Sequence, residues 1–194
     1  MAVKRRGMTK DLAVCGLFAS LIAVGAFIKI VIPVGVDTMN FTLQWLFVML
    51  AGLLLGSKKG FLSVFTYLII GLVGFPVFAR GGGPAYLIRP TFGFLLGFAL
   101  AAYAIGRVCE WMHTSKPGAW LFAVTVGYAV YYGMGILYFY FITHIVVVTP
   151  NTVGWAAIFM IYCLPTMLPD YMLCVLAVMV AGRLKPVVSR IMES

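Results

Sequence analysis

Side chains able to do chemistry are scarce in this chain. Five acids stand against fourteen lysines and arginines in 194 residues. Asp170 follows Pro169 at the start of an apolar run, where a carboxylate is costly unless it has a partner. Arg80 and Arg89 bracket a stretch that begins Gly81-Gly82-Gly83-Pro84 and contains Tyr86, between two further apolar runs. Arg89 abuts Pro90 at a predicted helix start. A helix N-terminus already favours anions, so an arginine added there suits a carboxylate or phosphate. Lys29 and Asp37 lie near the end of the first apolar run. Charges so placed can also snorkel to a solvated rim. Gln44, in Phe41-Thr42-Leu43-Gln44-Trp45, either fills an interface or offers an amide donor and acceptor to a polar ligand group. Tyr86 offers an aromatic face with a polar tip.

Several chemistries lack their residues. The glycine run is not a phosphate loop, because it has no GxxxxGK[ST] pattern and follows a helix. The glycines suit a backbone that turns into the bundle or approaches a ligand closely. No serine has the setting of an intramembrane protease nucleophile, and His113 falls in a loop. Five scattered acids supply no divalent-metal cluster for lipid phosphotransfer. Cys15, Cys109, Cys163 and Cys174 have no CxxC spacing and no nearby histidine, so they read as reduced thiols rather than metal ligands. No cofactor and no ATP-binding motif are expected. Uphill transport therefore needs a partner or an ion gradient.

The elements that position these residues follow from hydropathy. The chain is 63% hydrophobic and 10% charged, where a soluble domain is nearer half apolar and a quarter charged. This predicts a single all-α transmembrane domain over residues 1–194 with six spans, 12–32, 42–56, 60–78, 90–108, 118–142 and 166–184. Pro33–Asn40 reads as a polar connection, Ala79–Arg89 as a linker, and Glu110, His113 and Lys116 as part of a loop. Lys58 and Lys59 mark a membrane exit. After Thr149-Pro150, Val153–Leu164 is too short to cross and reads as an interfacial or re-entrant helix, with Pro169 in the first turn of the last span. Met1–Arg6 resembles a signal-peptide n-region, but the run after it is long enough to span, so it reads as a retained first helix.

The net charge of +9 is not a nucleic-acid signal, because the cations cluster at the ends of apolar segments. With the N-terminus in the cytoplasm, eleven Lys and Arg fall inside and only Lys29, Arg80 and Arg89 fall outside. That bias predicts both termini in the cytoplasm of a multi-pass cell-membrane protein. Ala19/Ala23, Gly52/Gly56 and Gly93/Gly97 are small-xxx-small pairs that permit close helix approach.

The stretch Phe41–Phe98 resembles the BioY family, the biotin-binding membrane subunits (S components) of energy-coupling factor transporters. The matching pieces are Phe41-Thr42-Leu43-Gln44, Leu55-Gly56 with lysines before Gly60, Gly74-Phe75-Pro76-Val77-Phe78-Ala79, and Pro90-Thr91 before Gly93. Leu164-Pro165 and Pro169-Asp170 resemble the family's last-helix signature. The resemblance implies the six-helix S-component fold and a biotin site near the outer face, covered by the loops after the first and third spans. It implies a transmembrane coupling protein and two ABC-type ATPases as partners. It also implies that Ala19 and Ala23 contact the coupling protein. The family often reads Asp-x-x-Lys on the last helix, whereas this chain has Asp170-Tyr171-Met172-Leu173.

These readings combine into one expectation. Asp170 accepts N–H bonds from the ureido ring of biotin, with Gln44 as a second polar partner. Phe41, Tyr86 and Thr91 line the site. Arg89, or failing that Arg80, pairs with the valerate carboxylate in place of the missing lysine. Gly81, Gly82, Gly83 and Pro84 form a hinged lid. Two alternatives stay open, an S component for another carboxylate-bearing vitamin and an integral-membrane enzyme acting on lipid headgroups.

Overall fold

The computed structural model describes residues 2–34, 37–114, 116–146 and 154–193. Thr149, Pro150 and Val153 lie outside the described residues. Among the described residues there are six α-helices: α1 (Ala2–Phe27), α2 (Gln44–Val73), α3 (Phe92–Met112), α4 (Pro117–Phe141), α5 (Trp155–Ala157) and α6 (Leu164–Glu193). Five of them are long and apolar enough to cross a membrane. The sixth, α5, runs on through π-helical turns at Ile158–Cys163 directly into α6. Large apolar side chains such as Met172 and Met179 on α6 and Leu12 and Leu17 on α1 are exposed, as helices bathed in lipid require.

The all-α expectation needs one addition. The first helix stops at Phe27, and β1 (Lys29–Val34) pairs antiparallel with β2 (Asp37–Thr42), in the register Lys29 to Thr42. The predicted span to Ile32 is therefore cut short, and the predicted polar connection is a hairpin. The run Ile28–Val34 is rich in β-branched residues, which fit a pleated strand, and Pro33 cannot donate a helical hydrogen bond. Leu43 N–H closes the hairpin's base by donating to Ile28 C=O at 3.1 Å.

Helix α2 covers most of both the second and the third predicted spans. Gly56 has φ 81° and ψ −177°, which no helix accommodates. The chain doubles back there. Gly60 packs on the backbone of Ala51 and Gly52, and Gln44 Nε2 donates to Tyr67 Oη at 2.6 Å. The two arms, 44–55 and 57–73, thus lie antiparallel. Lys58 and Lys59, expected at a membrane exit between spans, are helical, because the second arm restarts at once. Its first free donor is satisfied from another helix. Glu110 on α3 accepts from Ser57 N–H and Ser57 Oγ at 2.8 Å each. Glu110 was expected in a loop. It lies in α3, which runs to Met112 and ends at His113 with φ 48°.

Other ends move for identifiable reasons. The second arm stops at Val73, because Gly74 adopts φ 120° and donates back to Gly71 C=O. The linker therefore runs from residue 74 to 91. Helix α6 begins two residues earlier than predicted, at Leu164, and continues to Glu193 with Pro169 and Pro186 inside it.

The glycine pairs mark close approaches. Gly52 sits on the Ala102 carbonyl of α3, and Gly93 and Gly97 sit against Tyr138 and Tyr131 of α4. Asp11 of α1 pairs with Lys59 at 2.6 Å beside the Gly56 turn. The N-terminal part of α1, the turn and the end of α3 thus share one end of the bundle. The hairpin and the linker share the other.

Candidate functional site

A cavity opens at the hairpin end. It holds ≈ 80 Å³, several times the roughly 10–15 Å³ that one water needs. Its walls come from the hairpin, the linker and four of the helices. The hairpin gives Asn40, Phe41 and Thr42, α2 gives Gln44 and Trp45, and the linker gives Ala79, Arg80, Tyr86 and Thr91. Phe94, Leu95 and Phe98 come from α3, Tyr131 from α4, and Thr166 and Asp170 from α6.

One wall is an aromatic panel. Trp45 and Phe98 each lie nearly parallel to Tyr131, with centroids 4.7 and 5.0 Å away. Such a panel suits a flat or compact apolar body. The polar groups sit around it. Asp170 is 4% exposed. Its Oδ2 lies 2.6 Å from Tyr132 Oη, and no salt bridge reaches it among the described residues. Tyr132 Oη in turn lies 3.0 Å from Thr166 Oγ1.

Gln44 is buried and already engaged. Its Nε2 donates to Tyr67, and its Oε1 accepts from Thr42 Oγ1 at 3.2 Å. Tyr67 Oη donates onward to Val77 C=O at 3.2 Å. Gln44 therefore ties the hairpin, both arms of α2 and the linker together at the cavity wall. Its second amide proton and second lone pair remain for a ligand.

The linker is folded around Phe78. This ring is 1% exposed and packs against Tyr67, Tyr86 and Phe92, with centroids 5.4, 4.6 and 6.4 Å away. Gly71 lacks the Cβ that would strike it. Phe78 and Gly81 exchange backbone hydrogen bonds at 2.9 and 3.1 Å. Gly82 passes against the Phe75 carbonyl, and Gly83 N–H donates to Gly71 C=O at 2.7 Å. Pro84 opens a 3₁₀ turn, Pro84–Ile88, that places Tyr86 on the cavity. Lys29 Nζ donates to Ala79 C=O at 2.6 Å and joins the hairpin to the linker.

The residues singled out in the sequence fall into four groups. Asp170, Arg80, Gln44, Tyr86, Phe41 and Thr91 line the cavity. Arg89 does not. It is exposed, with its guanidinium 5.1 Å from the Tyr86 ring centroid. Burial holds the Tyr86 hydroxyl above its ordinary pKa, and Arg89 only partly opposes that. Gly81, Gly82, Gly83 and Pro84 shape the linker behind the lining residues. Ala19 is 5% exposed and packs in the core, and Ala23 is half-buried. The open face of α1 carries Leu12, Gly16, Leu17, Ser20 and Val24 instead.

Sequence reasoning passed over Trp45, Phe94, Phe98, Tyr131, Tyr132 and Thr166. A signal for part of this set was present. Tyr128, Tyr131 and Tyr132 stand at i, i+3 and i+4, one face of a helix. That face meets α6, where Tyr128 Oη donates to Met167 C=O at 3.0 Å.

Comparison with known proteins places this architecture. The BioY family model matches residues 1–190. A "Probable biotin transporter BioY" of Lysinibacillus sphaericus is 38% identical over 176 residues, covering 91% of this chain and 87% of that protein. A "Biotin transporter BioY" of Thermotoga maritima is 41% identical over 137 residues, covering 70% of this chain and 77% of that protein. A crystal structure of the S-component for biotin from an ECF-type ABC transporter superposes with a TM-score of 0.79 at 23% identity, covering 92% of each chain.

Proposed function

The chain belongs to the BioY family, and from that premise we propose that it is the biotin-binding membrane subunit of an energy-coupled vitamin transporter. The observation that carries the reading is the composition of one cavity. A buried carboxyl group, a flat aromatic panel and an arginine share its walls, and biotin has one group for each. Asp170 accepts from a ureido N–H, with Gln44 beside it. Trp45, Phe98 and Tyr131 pack on the bicyclic ring, with Phe41 and Tyr86 on its other sides. Arg80 pairs with the valerate carboxylate. Arg89, being outside the lining, acts through the Tyr86 ring it covers. Each polar end must be met in this way, because an unpaired group in an apolar bundle is costly.

The linker residues Gly81–Pro84 carry Arg80 and Tyr86 and serve as part of a lid. Release requires energy from outside the chain, supplied by two ABC-type ATPases through a transmembrane coupling protein. Ala19 is packed inside, so that protein meets the open face of α1 around Gly16 and Ser20, with Ala23 at its edge. Both termini lie in the cytoplasm of the cell membrane. The supporting observation is that Lys10, Lys58, Lys59 and Arg107 belong to the bundle end opposite the cavity.

The test is a binding titration with biotin and with a neutral biotin amide. A charge-assisted hydrogen bond contributes roughly 1.5–3 kcal/mol, or about ten- to a hundredfold in affinity. Arg80→Ala should lose that factor for biotin and little for the amide. Arg89→Ala should affect both ligands alike and less. A parent protein that a vitamin panel stabilises against heat only with some other compound would overturn the biotin assignment.

A further inference from the structure

The hydrogen bonds around Asp170 can be counted in protons. A chain of contacts runs from a carbonyl to the carboxyl group. Thr166 Oγ1 donates to Cys163 C=O at 3.1 Å, Thr166 Oγ1 meets Tyr132 Oη at 3.0 Å, and Tyr132 Oη meets Asp170 Oδ2 at 2.6 Å. The carbonyl can only accept, so that contact is a hydrogen bond only with the Thr166 proton on it. The second contact then needs the Tyr132 proton. The third is left without one unless Asp170 supplies it. All three can be hydrogen bonds at once only with three protons, and the two hydroxyls carry two.

The surroundings agree with that count. Asp170, Thr166 and Tyr132 are 4%, 2% and 4% exposed, and Asp170 and Thr166 meet solvent only through the cavity. An ionised carboxylate so buried requires a partner charge. Among the described residues none lies within salt-bridge distance. The titratable groups facing it are Tyr128, Tyr131 and Tyr132 from α4 and Cys174 on α6. None of them is a cation. The one basic residue in the cavity wall is Arg80, on the linker.

We infer that Asp170 works as a neutral carboxylic acid, keeping its proton on Oδ2 toward Tyr132 and presenting Oδ1 to the cavity as a pure acceptor. Tyr132 and Thr166 are then positioning residues, because they fix which oxygen keeps the proton. This rests on the biotin reading only for the identity of the N–H group that Oδ1 meets. A site built this way selects an uncharged N–H donor such as a urea. A cation would gain no ion pair there.

Infrared spectroscopy of the detergent-solubilised full chain at neutral pH decides the protonation state without any ligand. The parent should show the carbonyl stretch of a protonated carboxylic acid, shifted by deuteration and absent in Asp170→Asn. Tyr132→Phe removes the acceptor of the acid's proton and should move that band to higher frequency. A parent spectrum without the band overturns the inference. Binding gives a second readout. Asp170→Asn keeps a donor toward Tyr132 and an acceptor toward the cavity, so its biotin affinity should stay within about fivefold of the parent. Asp170→Ala should lose roughly ten- to a hundredfold. An Asn variant as weak as the Ala variant would sink the neutral-acid assignment. A parent that shows the band but does not bind biotin would refute the ligand and leave the protonation state standing.

Discussion

Replacing Phe78 by alanine tests how the cavity is kept closed. Three aromatic rings surround this side chain, and the linker's turn is wrapped over it. Truncating a buried phenylalanine costs about 3–5 kcal/mol where the site cannot collapse. Here the loss falls on a segment rather than on the helices, because the linker's other ties are a few backbone hydrogen bonds and the Lys29 contact. The closed linker therefore loses up to about 3 kcal/mol relative to an open one. A ligand that needs the closed form binds more weakly by the fraction closed. The loss is bounded near a hundredfold, and the remaining ties keep it nearer tenfold. Phe78→Leu retains most of the volume and should stay within about threefold. The assay is a biotin titration beside hydrogen exchange at Gly83, whose N–H is protected only while it reaches Gly71. Biotin affinity within twofold of the parent, with Gly83 still protected in the alanine variant, would refute the argument.

Other substitutions probe the frame. Glu110→Ala uncaps the second arm of α2. Glu110 is partly exposed and water replaces part of what is lost, so the cost is about 1–2 kcal/mol, a fall of roughly 2–8 °C in the melting midpoint. Glu110→Gln should recover most of it. Gly97→Val drives a side chain into the Tyr131 backbone and should destabilise by about 1–3 kcal/mol, with weaker ligand binding because Tyr131 belongs to the panel. Lys59→Ala breaks an ion pair whose side chains are 33% and 41% exposed. It should change the melting midpoint by about 4 °C at most.

The helices were legible from hydropathy because lipid imposes a length on each apolar run. The hairpin was not, because Ile28–Val34 is as apolar as a span, and only its β-branched run and Pro33 speak for a strand. At the site, the residues that stood out were those whose charge or polarity is out of place, namely Asp170, Arg80 and Gln44. Tyr131, Tyr132 and Trp45 were overlooked because an aromatic residue in an apolar helix looks like any other core residue. The choice between Arg80 and Arg89 also needed coordinates. Eight residues separate them in sequence, and a single 3₁₀ turn puts one in the cavity wall and the other over the Tyr86 ring.

The reversal at Gly56 bears on how the protein is made. The first arm of α2 spans only residues 44–55, about 18 Å at the rise of an α-helix. A segment needs about 20 residues to cross on its own, so this arm cannot be integrated as a separate unit during synthesis. It enters the bilayer already paired with residues 57–73, as one helical hairpin. In the orientation proposed above, Lys58 and Lys59, immediately after the bend, hold that tip on the side where synthesis occurs. The wall bearing Gln44 and Trp45 is therefore assembled at insertion, before α3, α4 and α6 arrive to enclose the cavity.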